Sequence, residues 1–332
     1  MEIGIAYNLP STNKNKNDLI NNIPEEFENF KTVEAIAEVI DKHGHRPRLL
    51  GGGRGFVAEV MKHSSDLVFN FAKGVGTRSR EAHIPAALEM LEIPFTHSDP
   101  LTLAVAFEKA ICKRVINSAG VSTSRYAVIH SLQEASALTL TFPLMIKPLH
   151  EELVVDKRYH LQVTNLRDLV EQLEYINQET NQPVIVEEFC NGPEFVIGII
   201  GSEAKAHVIG IMEIVPKHVS LDSFIYYSDL KQNHTEQLNY VVPTKQPKQL
   251  LDLIAKIALD AYRTIQCRDI GKVVVRLDSS TSSPVFIKID PLPGFNPKNS
   301  DIVILAQGMG ISYEDLITEV IKSACERYNL SF

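Results

Sequence analysis

The sequence predicts an α/β fold in its first third that passes into a mixed α+β fold. Three observations predict it. Up to about residue 98, short apolar runs alternate with segments of helical periodicity, which implies a parallel, Rossmann-like sheet with helices on its faces. From Tyr126 onward, strand-like runs follow one another with fewer helices between them. The 332 residues, 44% hydrophobic and 22% charged, give room for two or three ordinary globular domains.

In order, residues 2–8 form an apolar strand and residues 10–22 a polar loop. Val33, Ile36, Ala37, Val39 and Ile40 mark a helix over 32–43 that stops at Gly44. A strand at 46–50, a helix at 56–62, a strand at 66–71, a helix at 81–91 and a short strand at Phe95 complete the first domain, 1–98. A long helix over 100–119 ends at Gly120 and opens the second domain, 99–182, with strands at 126–129 and 142–147 and a helix at 165–175. The third domain, 183–332, begins with two strands, 184–189 and 195–200, expected to pair with each other. A strand at 206–214, a polar loop at 220–239, a helix at 246–265, strands at 271–277 and 285–289 and a helix at 313–328 follow.

The net charge of −8, without a basic run, argues against nucleic acid as a partner. No window suggests a membrane span and the first residues read as a strand, so a cytoplasmic protein is expected. Cys112, Cys190, Cys267 and Cys325 stand far apart, without the spacing of a zinc site or a disulfide framework.

Several segments occur in an order that resembles one family. They are Leu67-Val-Phe-Asn-Phe-Ala-Lys-Gly, Ile93-Pro-Phe-Thr-His-Ser-Asp-Pro, Phe107-Glu-Lys-Ala-Ile-Cys-Lys-Arg, Phe142-Pro-Leu-Met-Ile-Lys-Pro, Val184-Ile-Val-Glu-Glu-Phe-Cys-Asn-Gly-Pro-Glu-Phe and Asp290-Pro-Leu-Pro-Gly. Together they resemble ATP-grasp proteins of the D-alanine–D-alanine ligase type over nearly the whole chain. That resemblance implies an ATP-grasp fold behind an N-terminal pre-ATP-grasp domain. It also implies ATP or ADP as ligand, a small amino-acid-like ligand, and a homodimer or a complex with an active homologue. In that family ATP activates a carboxylate as an acyl phosphate that an amine then captures, which requires cations on the phosphates and exclusion of water.

The resemblance places Lys109 and Lys147 on nucleotide phosphates. It makes Glu187, Glu188, Phe189 and Cys190 a hinge that reads adenine through its backbone, and Glu194 an acceptor for ribose. Lys231 belongs to the loop that closes over the phosphates. Lys272, Lys231 and Ser300 are the catalytic candidates. Arg78, Arg80 and Glu81 are the nearest candidates for contacts to a first substrate, with a salt-bridged surface as the alternative.

Four departures from the family pattern concern the metal and phosphates. Val274 stands where an acidic metal ligand belongs, and Lys288 replaces a Glu on the last strand. Asp290 replaces an Asn and is the one remaining metal-binding candidate, whereas magnesium takes about six oxygens. The glycine- and serine-rich phosphate loop is replaced by a run containing Glu151, Glu152, Leu153 and Val154, whose side chains obstruct close backbone approach. Magnesium is thereby put in doubt, and Lys288 is the candidate to offset phosphate charge in its place. Two readings follow: a catalytically impaired, nucleotide-binding homologue beside an active ligase, or an active carboxylate–amine ligase using Asp278, Glu194 or Asp301 as replacement oxygens. A third is a module that binds a ligand in the cleft without nucleotide.

Overall fold

A computed structural model describes residues 1–9, 29–150, 162–180, 182–220, 224–226 and 237–332. Three sheets organise them. In the first, β1 (Glu2–Ala6) lies between β2 (Arg46–Gly51) and β3 (Leu67–Asn70), all parallel, with Ile3 opposite both Pro47 and Leu67. Helix α1 (Phe30–Lys42) starts where the Asn29 side chain accepts from the Thr32 N–H at 3.1 Å, and buries Val33, Ile36, Val39 and Ile40 on the sheet. Helix α2 (Gly53–Lys62) buries Phe56 and Val60. Instead of a helix beginning at Glu81, a 3₁₀ turn over Arg80–Ala82 leads into α3 (His83–Met90).

The single helix expected over 100–119 is two, α4 (Pro100–Phe107) and α5 (Lys109–Ser118). Between them Glu108 is extended (φ −87°, ψ 99°), and its carboxylate accepts the Ile111 N–H at 2.7 Å. That bond is an N-cap, worth about 1 kcal/mol, and it restarts the helix so that Lys109 occupies a first turn.

The second sheet is antiparallel and runs β4 (Tyr126–Ile129), β7 (Val184–Glu188), β5 (Leu144–Pro148), β6 (Gln162–Val163). Helix α6 (Leu132–Ala135) lies beside it, and α7 (Leu166–Thr180) covers it through Leu169, Leu173 and Ile176. The third, also antiparallel, runs β10 (Leu238–Val241), β9 (His207–Pro216), β8 (Glu194–Ile200), β11 (Ile270–Asp278), β12 (Ser283–Asp290). Strand β10 begins inside the stretch expected to be a loop.

The strands expected to pair, β7 and β8, belong to different sheets. At the crossing, the Gly192 N–H donates to the Leu277 carbonyl at 3.0 Å and the Leu277 N–H to that of Pro193 at 3.0 Å. A Cβ at Gly192 would collide with the Leu277 carbonyl, so glycine lets the chain lie against β11 and start β8 there.

Helix α8 (Lys248–Thr264) covers one face of the third sheet through Ile254, Ala258, Ala261 and Tyr262. The other face carries a helix the sequence reading missed, α9 (Asp301–Gly308), whose Ile302 packs where a Cβ on Gly198 would stand at 2.8 Å. The last helix, α10 (Tyr313–Tyr328), is capped by Ser312, which accepts the Asp315 N–H at 3.0 Å. Its Leu316, Ile317, Val320 and Ile321 share one core with Ile3, Ile5 and α1, so the end of the chain completes the packing of its beginning. No described helix is long and apolar enough to cross a membrane.

Candidate functional site

Strand alternation and cross-strand register put one row of side chains on the face of the third sheet that carries α9. Lys272, Val274 and Arg276 of β11 stand opposite Gly198, Val196 and Glu194 of β8, and across β12 Lys272 faces Asp290 while Val274 faces Lys288. The residues that depart from the family pattern are therefore direct neighbours.

Asp290 is the oxygen of this group, and cations surround it. Lys73, just past β3, places its Nζ 3.4 Å from Asp290 Oδ1 and 3.3 Å from Glu81 Oε1. Lys272 Nζ lies 3.7 Å from Asp290 Oδ2 and 2.8 Å from Asp301 Oδ2. Burial alone would raise the Asp290 carboxyl, but Lys73, Lys272 and Lys288 hold it down at about 2. Beside it Val274 is buried with Val196, Met212, Ile214, Phe224 and Leu305, an apolar setting without an oxygen to offer. Among the described residues no three His, Cys, Asp or Glu groups meet as metal ligands. A carboxylate ringed by three ammonium groups does not fit a divalent cation, which like charge opposes and which wants several oxygens. It fits an anion.

The proposed replacement oxygens are engaged elsewhere. Asp301, at the start of α9, holds Lys272 and accepts the Tyr226 hydroxyl at 2.6 Å, with Tyr240 2.8 Å from Tyr226. Asp278 closes the β11–β12 turn on the Ser280 N–H at 2.8 Å and hydroxyl at 2.6 Å. Glu194 is buried with Arg276 Nη1 at 3.8 Å; burial raises its carboxyl and Arg276 opposes that. Arg276 also donates to the Gly192 and Phe224 carbonyls and lies 4.6 Å above the Phe189 ring, which ties Glu194 to the crossing between the sheets. Ser300 accepts the Asn296 N–H at 2.8 Å, closing the turn before α9 next to Asp301.

On the second sheet, Glu187 lies between two lysines, with Lys113 Nζ at 2.8 Å and Lys147 Nζ at 3.1 Å. Burial would raise this carboxyl, yet the two ammonium groups bring it down to about 2. Lys147 is the half-buried member of the pair. Lys109 donates to the carbonyls of Pro148 at 3.1 Å and Leu149 at 3.3 Å, so it braces the end of β5 as well as carrying charge.

The hinge is partly committed to the protein itself. The Glu188 N–H donates to Arg125 O at 2.9 Å and the Phe189 N–H to Pro143 O at 3.1 Å. The Glu188 and Phe189 N–H groups are thus taken up by the pairing of β7, so any backbone reading of a base falls to the remaining N–H and C=O groups of the hinge. The Glu188 side chain binds Arg125 Nη1 and the Thr141 N–H, at 2.8 and 2.9 Å. Burial pushes the Cys190 thiol up to about 11, an unreactive group.

Arg80 is not on a salt-bridged surface: it is 2% exposed, donates to the Lys73 and Gly74 carbonyls and covers the Phe107 ring at 4.7 Å. Arg78 is exposed. Lys231, Glu151, Glu152, Leu153 and Val154 lie outside the described residues. The sequence reading missed Lys113 and Lys73. Lys113 stands one helical turn after Lys109 among the buried positions Ala110, Cys112 and Ile116, which was the available signal.

A family model described as D-ala D-ala ligase C-terminus matches residues 115–322. The uncharacterized protein y4sG of Sinorhizobium fredii is 27% identical over 315 residues, covering 92% of this chain and 90% of that protein. A D-alanine–D-alanine ligase of Polaromonas sp. is 28% identical over 255 residues, covering 75% of this chain and 72% of that one. The structure of D-alanine–D-alanine ligase from Bacillus anthracis complexed with ATP superposes with a TM-score of 0.74 at 18% identity, covering 99% of this chain and 98% of that chain. The VanG D-Ala:D-Ser ligase from Enterococcus faecalis gives 0.72 at 19% identity, covering 97% and 99%. Both share the ATP-grasp fold with this chain.

Proposed function

This chain belongs to the family described as D-ala D-ala ligase C-terminus, and from that membership we propose that it is a ligase-like protein that binds ATP or ADP but is impaired in phosphoryl transfer. The bound ATP of the Bacillus anthracis relative supports the ligand class. Lys147 would meet its phosphates from the second sheet, Lys109 from the start of α5 and Lys288 from the third sheet. ATP would supply the phosphoryl group that activates a carboxylate; the residues of this chain bind and orient the nucleotide.

The observation that carries the impairment is Asp290 held between Lys73 and Lys272 beside an apolar Val274. Point charges on flexible stems do not bridge and polarise a transferring phosphoryl group as a divalent cation does, and such groups account for orders of magnitude in rate. A small amino-acid-like ligand at the N-terminal end of the cleft, and action as a homodimer or beside an active homologue in the cytoplasm, complete the proposal.

Calorimetric titration of ADP and ATP with and without magnesium tests it. Binding that magnesium leaves within a fewfold of its metal-free strength, with no ATP-dependent phosphate release across a panel of amino acids, is expected. Magnesium-dependent binding and phosphate release at an ordinary ligase rate would sink it in favour of an active ligase with a shifted metal site. No nucleotide binding at all would favour the nucleotide-free module.

A further inference from the structure

The end of α5, residues 123–124, the start of β4 and residues 137–140 line an open cavity of about 550 Å³. Its lining includes Arg114 and Arg125 and no acidic residue, in a chain whose net charge is −8. Asn117, Ser118, Thr123 and Thr139 add hydrogen-bonding groups, while Ala127, Leu138 and Leu140 supply an apolar side. We propose that this cavity is a second ligand site, for a small molecule that carries a phosphate or carboxylate on a compact apolar body.

The two arginines are placed for this by different means. On α5 the side chains of Ala110, Cys112, Lys113 and Ile116 face inward, so Arg114, next to buried Lys113, is turned out to the cavity wall. The Tyr126 hydroxyl, bonded to the Ala110 carbonyl at 3.1 Å, holds β4 against α5 and fixes the distance between the walls. Arg125 donates through Nη2 to the Thr139 carbonyl at 3.2 Å and through Nη1 to Glu188 at 2.8 Å, which fixes its guanidinium at the rim. A planar guanidinium binds an oxyanion through paired N–H donors, and two at one cavity suit a phosphate or carboxylate better than a neutral ligand. The volume lies within the range of small-molecule sites.

The Arg125–Glu188 pair gives the site a consequence. Glu188 lies in the hinge, and its Oε1 also accepts the Thr141 N–H at 2.9 Å. An oxyanion drawn to Arg125 competes with Glu188 for the same donors, so occupancy of the cavity loosens the hinge on its outer side.

The cavity does not depend on nucleotide binding, and the test keeps the two apart. The full chain is titrated with inorganic phosphate, glycerol phosphate and citrate at constant ionic strength, alongside Arg114→Ala and Lys288→Ala. Arg114 is exposed and Lys288 is exposed on the cleft face, so both variants are expected to fold with an unchanged melting temperature. Saturable binding of at least one probe, weakened at least tenfold in Arg114→Ala and kept within twofold in Lys288→Ala, is the expected result. Preference for glycerol phosphate or for citrate identifies the phosphate or the carboxylate source. The proposal is overturned if no probe saturates, or if binding survives Arg114→Ala and is lost in Lys288→Ala, which would put the oxyanion in the cleft.

Discussion

The Nζ of Lys272 lies 2.8 Å from the Oδ2 of Asp301, and both groups are buried. The chain thus supplies its own anion to the cation that stands nearest the reacting position in the family pattern, and Tyr226 fixes that anion from the other side. Replacing Asp301 with Asn leaves a buried ammonium with only the more distant Asp290 carboxylate as an anionic partner, a change that costs about 3 kcal/mol. A nucleotide phosphate reaching the freed lysine would offset part of that loss. The expected outcome is a lower melting temperature for Asp301→Asn, and a larger upward shift on adding ADP than the native protein gives. Equal shifts in the two proteins would mean that ADP phosphates do not approach Lys272.

Glu187 is the corresponding pivot of the second sheet. Its carboxyl is held at about 2, against an ordinary 4.5, by Lys113 and Lys147. A depressed carboxyl stabilises the fold above its unfolded value, and that contribution is lost as pH falls from about 4.5 towards 2. Glu187→Gln should cost about 3–5 kcal/mol at neutral pH, because two buried or half-buried ammonium groups lose their counter-charge. It should also flatten the fall in stability below pH 4.5. Urea unfolding at several pH values measures both, and a variant with the native acid profile would exclude Glu187 as the group responsible.

Much of this architecture was legible because most of it is local. Helical periodicity located α1, α8 and α10, and the apolar run before Lys147 located β5, since each pattern reports one buried face. The partners of the strands were less legible. Strands β7 and β8 follow each other closely enough to suggest a hairpin, and what separates them is a contact with Leu277, 85 residues further on in sequence. Helix α9 was missed because α9 is apolar on most sides, being covered from several directions, and so shows no amphipathic period. Within the site, the substitutions at Val274 and Lys288 were visible against the family pattern. Lys73 and Lys113 were not, nor was the pairing of Asp301 with Lys272, because these partners come from other elements and only the fold brings them together.

His97 links stability to pH near neutrality. It is fully buried at a φ of +71°, edge-on to Phe69 and Phe295 at ring separations of 5.4 and 5.6 Å, and its backbone N–H donates to Asp269 at 2.8 Å. Burial, reinforced by Lys73 and Arg327, lowers its imidazole to about 3. Below pH 6.5 the unfolded chain takes up a proton that the native state refuses, so stability declines as pH falls from about 6.5 towards 3. For one group the slope reaches about 1.4 kcal/mol per pH unit. His97→Asn keeps a residue that tolerates the left-handed backbone and removes the titration. Its stability should fall less steeply between pH 6.5 and 5 than that of the native protein, the remainder coming from His45 and His150, which are also held below the ordinary imidazole value; parallel profiles would assign the whole decline to other groups.

The proposed loss of metal ligation is reversible in principle, and the register of β11 and β12 says how. Val274 faces Lys288 directly, and Asp290 follows on the same side of β12. In Val274→Asp alone, the new carboxylate meets the Lys288 ammonium across the strands and forms an ion pair, so magnesium gains no seat. In Lys288→Glu alone, two carboxylates stand two residues apart, with Val274 still apolar between the strands. The double variant brings three carboxylates together against Lys73 and Lys272, and only that combination offers enough oxygen to hold a hard cation beside a nucleotide. Magnesium is expected to raise its ADP affinity at least tenfold, about 1.4 kcal/mol, while leaving the native protein and Val274→Asp unaffected. Titrations of the four proteins with and without magnesium provide the comparison. A double variant that binds ADP with no response to magnesium would show that the metal seat was lost through more than these two side chains.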